Sequence, residues 1–207
     1  GIKFLESKPA EQKEYGVCIN HPFYNDIFEK CANNNTPILW HVADPDTFWD
    51  IERIPPRFIE RGWFYGDGTY LSLEETYGQV FEILDRHPEL KVTFAHFFFY
   101  SDYPEKLDKL FEKYPNVCID LAPGSEMFKS FNDDRDFYIE FFTKYADRII
   151  YGTDASFMEN TNDDYERYQG ITDSVYKFLT TDEVITIYGV SAKGLNLPDE
   201  VTSKILN

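Results

Sequence analysis

An α/β fold on a parallel sheet is what this sequence predicts, and three observations predict it. Short apolar runs recur along the chain, helical patterns separate them, and the runs are apolar throughout, as strands covered on both faces are. The runs are "GIKFLE" at the start, "TPILWH" (36–41), "KVTFAHFFF" (91–99), "NVCIDLA" (116–122) and "RIIYGTD" (148–154). Between them, Leu73, Tyr77, Val80, Phe81 and Leu84 follow one helical face, and Ser72 with Glu75 forms a capping box ahead of it. Leu107, Leu110, Phe111 and Tyr114 mark a second helix, with Pro104 suited to its first turn. Phe137, Phe141, Phe142 and Tyr145 mark a third, and Phe23, Ile27, Phe28 and Cys31 a shorter one.

Two architectures carry this alternation, a doubly wound open sheet and a (β/α)8 barrel. A doubly wound nucleotide binder shows a glycine-rich turn after its first strand, and neither GxGxxG nor GxxxxGK[ST] occurs here. The expectation is therefore a TIM-barrel type fold, seen as a partial barrel of five βα units with parallel strands, residues 1–207 forming a single domain. Segment 44–72 carries Pro55-Pro56 and reads as an extended loop after the second run, of the kind that builds sites at the carboxyl face of a barrel.

Composition narrows the function. The chain has 207 residues and a formal charge of −17, which argues against nucleic acid or an anionic membrane as a partner. No apolar stretch reaches the length of a membrane span. Three cysteines (Cys18, Cys31 and Cys118) lack metal-type spacing; Cys31 on a helical face and Cys118 in an apolar run read as core thiols, which fits a reducing, cytoplasmic compartment.

Three runs end in side chains that hold metals or protons: His41 after "ILW", His96 after "VTFA" and Asp154 after "IIYGT". Parallel strands deliver their carboxyl ends to one face, so these groups are expected to converge and to share one ion or one water. Two imidazoles and a carboxylate suit a divalent ion, Zn²⁺ first and Mn²⁺ second, which would lower the pKa of a bound water. His21 and His87 read as structural, at the start and end of helices.

The stretches "TPILWHVADPDTFWD", "LDRHPELKVTFAHF", "FEKYPNVCIDLA" and "DRIIYGTDAS" together resemble the second amidohydrolase family of metal-dependent hydrolases. That family includes aminocarboxymuconate-semialdehyde decarboxylase and lactone hydrolases. The resemblance implies a (β/α)8 barrel of which this chain is strands four to eight. It makes His41 a metal ligand, Asp154 a ligand and catalytic proton acceptor, and His96 the catalytic histidine that orients water or polarises the substrate. Lys3 falls where some relatives carry a bridging lysine, and Asp120 belongs to strand seven.

The implied reaction is attack of metal-activated water on a carbonyl, amide or lactone of a small molecule. Non-oxidative decarboxylation of an unsaturated or aromatic acid, and a degenerate barrel without catalysis, are the alternatives. One departure stands out: the family's H-x-H pair occurs nowhere in the chain, so a metal expected from the family could be missing here. In segment 44–72, Arg53, Arg57 and Arg61 are candidates to pair a substrate carboxylate and Trp49, Trp63, Phe64 and Tyr65 to wall it. Arg57, Trp63 and Lys3 are the substrate-binding candidates. Five strands leave open edges, so a homo-oligomer or another association that covers them is expected.

Overall fold

A computed structural model describes residues 1–122, 124–155, 162–187 and 189–206. Ser156, which ends the "RIIYGTDAS" motif, and Asn207, which ends the chain, lie outside the described residues. In order, the elements are β1 (Ile2–Ser7), α1 (Pro9–Tyr15), α2 (Asn25–Asn33), β2 (Ile38–Val42), α3 (Pro56–Ile59), α4 (Leu73–Arg86), β3 (Val92–Phe94) and α5 (Pro104–Lys113). There follow β4 (Val117–Asp120), α6 (Ser125–Asp133), α7 (Arg135–Lys144), β5 (Ile149–Ile150), α8 (Asn162–Thr180), β6 (Val184–Ile187), β7 (Val190–Lys193) and α9 (Asp199–Leu206).

Strands β1 to β5 form one sheet in chain order, and each of the pairs β1–β2, β2–β3 and β4–β5 is parallel. Chain order without a reversal is the strand order of a (β/α)8 barrel, whereas a doubly wound sheet turns back at a switch point. The fold is α/β, a partial barrel, with helices between its strands. Two compact units make up the described chain: residues 1–99 with 110–118, and residues 100–109 with 119–207.

In the first unit, strand register builds an aromatic ladder. Phe4 pairs with Trp40, and Trp40 with Phe94. Phe28 of α2 stacks on this row, its ring centroid 5.3 Å from Phe4 and 5.4 Å from Trp40. Trp40 and Phe94 are fully buried, and the indole N–H of Trp40 donates to Ser7 Oγ at 2.8 Å. That bond removes the cost of burying an indole donor.

Local signals sit where the pattern places them. The Ser72–Glu75 capping box starts α4, His87 caps its end, and His21 Nδ1 accepts from the Phe23 amide at the start of a short turn. Segment 44–72 contains a 3-10 turn and α3, and no strand among the described residues. It has a small core of its own in Phe48, Ile54 and Tyr65, with Trp49, Phe58, Trp63, Phe64 and Tyr70 packed around it. Gly66 is required there, because a Cβ would stand 2.2 Å from the Trp49 carbonyl oxygen.

The second unit packs α6, α7 and α8 through aromatic rings. Phe131 lies 4.7 Å from Tyr138, 5.5 Å from Phe142 and 5.8 Å from Phe178, centroid to centroid. The antiparallel hairpin β6–β7, together with α1, α6 and α8, has no counterpart in the elements read from the sequence. Arg135 ties the segment after β7 to α7 by donating to the carbonyls of Gly194 and Leu195.

Trp40→Ala is expected to cost about 3–5 kcal/mol, the loss for emptying a large aromatic site, read as a lowered midpoint in urea unfolding.

Candidate functional site

Alternation along β2 decides where its histidine goes. Trp40 faces α2, so His41, the next residue, faces the other side of the sheet. His96 follows β3 by two residues. The two imidazoles meet edge to face, centroids 4.8 Å apart, and Phe99 borders both at 5.5 and 5.4 Å. Two of the three strand-end candidates are thus brought together within the first unit. Asp154 belongs to the second unit, four residues past β5, with an exposed side chain. In the same unit Asp120, the last residue of β4, is buried, its Oδ1 accepting from the Ala122 amide at 3.0 Å. A Cβ on Gly152 would lie 3.5 Å from the Asp120 Cγ.

The chain leaves these strand ends through left-handed backbone. Ala43 has φ +60°, Asp154 +47°, and His96, Phe97, Phe98 and Phe99 have +55°, +56°, +59° and +51° in succession. A left-handed residue that is not glycine costs on the order of 1–2 kcal/mol, so four in a row need strong compensation. Packing supplies it. Phe97 and Phe98 are fully buried, Phe98 stacks on Phe94 at 4.0 Å, and Tyr77 donates its hydroxyl proton to the Phe98 carbonyl at 2.9 Å. Core residues therefore hold His96 in an otherwise unfavourable turn.

Asp44 was not among the residues singled out from sequence, and it organises the site. Its Oδ1 stands 3.4 Å from His41 Nε2 and 3.4 Å from Lys8 Nζ, and its Oδ2 accepts from the Tyr65 hydroxyl at 2.8 Å. A carboxylate beside Nε2 keeps the proton on that nitrogen and leaves Nδ1 with its lone pair. Burial holds the His41 pKa below its ordinary value, so the ring is neutral. Burial alone would raise the Asp44 pKa, but the His41 hydrogen bond, the Lys8 charge and the Tyr65 hydroxyl outweigh it and hold the carboxyl below its ordinary range. Burial, then the Asp44 charge, pushes the Tyr65 phenol far up.

Lys8 comes directly after β1, whose last register pair is Ser7 with Val42. Lys3 is the second residue of that strand, paired with Leu39; it shares the His41 face of the sheet, one pleat below. Arg57 is exposed on α3, its Cζ 4.8 Å from the Phe58 ring. Arg53 is held by both oxygens of Asp46 at 3.1 and 3.2 Å. Trp63 is half-buried, with Lys8 Nζ 5.2 Å from its ring centroid. The sequence did hold a signal for Asp44 and Lys8: each is the first or second ionisable residue past a strand end.

Among the described residues, no group of three His, Cys, Asp or Glu side chains could hold a metal ion. Two imidazoles are about half of a four-coordinate zinc shell. The described donors alone therefore do not fit a resident ion.

A chain-ordered parallel sheet with histidines at the carboxyl ends of neighbouring strands defines a protein of the (β/α) barrel class. The sequence profile of the amidohydrolase family matches residues 8–195, and the chain belongs to that family. No curated protein matches it. Among solved structures it is similar to an uncharacterised TIM-barrel protein from Bordetella bronchiseptica, with 11% identity, TM-score 0.49, and 92% of this chain and 50% of that chain covered. It is also similar to a candidate amidohydrolase from Staphylococcus aureus, with 17% identity, TM-score 0.49, and 92% and 58% covered. The chain thus spans between 50% and 58% of the length of these proteins. Among the described residues no helix is long and apolar enough to cross a membrane.

Acid should destabilise the first unit. The folded state resists protonation at both His41 and Asp44, so the unfolded chain takes up more protons as pH falls. The stabilisation from His41 is present above the ordinary histidine pKa of about 6.5 and is lost below it; that from Asp44 is lost at lower pH, beneath the ordinary carboxylate pKa of about 3.9. Urea midpoints measured across this range should fall with pH, and Asp44→Asn should flatten the lower part of the profile.

A second expectation concerns Ala43, fully buried at φ +60°. Ala43→Val places a β-branched side chain in left-handed backbone with no room, and should cost on the order of 2–4 kcal/mol in the same assay.

Proposed function

We propose that this chain contributes the His41–His96 half of a hydrolase site, at which water attacks a carbonyl, amide or lactone carbon of a small molecule. Membership of the amidohydrolase family supports the reaction class. The observation that carries the residue assignment is the meeting of His41 and His96 at the carboxyl ends of neighbouring parallel strands.

In this reading the neutral His41 ring, turned by Asp44, offers Nδ1 to the attacking water, and His96 beside it holds that water by a second hydrogen bond. A proton taken up by His41 would be stabilised by the Asp44 carboxylate already at Nε2. Phe99 and the buried Phe97–Phe98 turn limit the water that reaches the pair. A divalent ion, if the whole protein supplies further donors, would hold the water and lower its pKa to about 7. Asp154 is proposed as a second proton acceptor on the strength of the family resemblance alone.

The test is the whole protein, assayed with and without Zn²⁺ or Mn²⁺ on panels of lactones, amides and aromatic acids. Hydrolysis is expected, with kcat/KM lowered at least about 100-fold in His41→Asn and His96→Gln, and lowered too in Asp154→Asn. Loss of carbon dioxide from the acids without hydrolysis of any panel member would replace this reading by a decarboxylase.

A further inference from the structure

Two cations rest on one indole in the first unit. Lys8 Nζ lies 5.2 Å and Arg61 Cζ 5.4 Å from the ring centroid of Trp63. Trp63 is itself fixed, nearly parallel to Phe58 at 5.7 Å and to Phe48 at 6.3 Å. Among the described residues, the carboxylate paired with either cation is Asp44, at 3.4 Å from Lys8. That carboxylate also serves His41 and Tyr65. In the same segment Arg53 is taken by Asp46, while Arg57 rests on the Phe58 ring. A chain of net charge −17 has thus placed two cations on one aromatic support, Lys8 paired with a carboxylate that also serves His41 and Tyr65.

Position gives this surplus a meaning. Lys8 and His41 share Asp44 Oδ1, each at 3.4 Å, so the ammonium stands no farther from His41 Nε2 than those two distances together. The Lys8 side chain keeps 18% of its surface exposed, so a ligand can reach it. An ammonium and a guanidinium that each rest on one indole lose little freedom on pairing with an anion, and a guanidinium offers the forked donors a carboxylate takes.

We propose that Lys8 and Arg61, supported by Trp63, form a docking point for a carboxylate, and that the substrate is a short organic acid whose carboxylate lies a few bonds from the bond attacked. Asp44 is the positioning residue, holding Lys8 and His41 in one register. The proposal rests on the hydrolase reading for what happens to the bound acid, but its test does not.

The experiment titrates succinate, an unreactive short diacid, into metal-free whole protein, followed by the Trp63 indole resonance in nitrogen-labelled NMR spectra and assigned with Trp63→Phe. A saturable shift is expected, weakened about tenfold or more in Lys8→Met and in Arg61→Met and retained in Lys8→Arg. Lys13→Met is the matched control, since Lys13 rests on Tyr70 at 3.9 Å and bonds Thr69; it should leave succinate binding unchanged. Absence of a saturable shift, unchanged affinity in both Met variants, equal loss in Lys13→Met, or tighter binding of inorganic phosphate would each overturn the proposal. Succinate binding of the expected pattern in a protein without hydrolase activity would keep the subsite and remove the hydrolase reading. Hydrolysis with no succinate site would do the reverse.

Discussion

Side-chain alternation along β2 is the constraint on which the site depends. Trp40 is committed to the helix-facing layer by the ladder with Phe4, Phe94 and Phe28, and by its bond to Ser7. With Trp40 fixed, His41 must face the opposite side. A slip of one residue would bury the imidazole among aromatic rings and turn the indole outward. The core thus aims the histidine through the backbone alone.

The second requirement is a way out of each strand that holds its last side chain still. Glycine would make left-handed exits easily, yet Ala43, His96 and the three phenylalanines after it occupy them here. The strain is offset by burial: the Phe97 and Phe98 rings in the middle of the turn fill the core, so the turn cannot relax without emptying that core. Rigidity at His96 is therefore bought with hydrophobic packing, a pattern suited to a group that must keep its place beside a partner.

Asp44 links what the sequence separates. Lys8 arrives from β1, His41 from β2 and Tyr65 from the long segment after it, and all three meet one carboxylate. Buried charge is costly unless it is paired and hydrogen-bonded, and Asp44 has each kind of partner. The same carboxylate fixes the tautomer of His41 and tethers a cation near it, so positioning and local charge are set together.

By itself the sequence determined the strand and helix alternation, the parallel sheet, the capped start of α4 and the family, because apolar period, capping pairs and motif order are local properties. His41 and His96 were legible as strand-end groups for the same reason. Only the tertiary structure decided that Asp44 and Lys8 join His41, that Arg53 is occupied by Asp46, and that Arg61 shares Trp63 with Lys8. Those pairings depend on register and on the folding of segment 44–72 over its own aromatic core, and neither leaves a period in the sequence. The β6–β7 hairpin and α6 were missed for a related reason. Their apolar residues are few per element, and they are completed by partners distant in the chain.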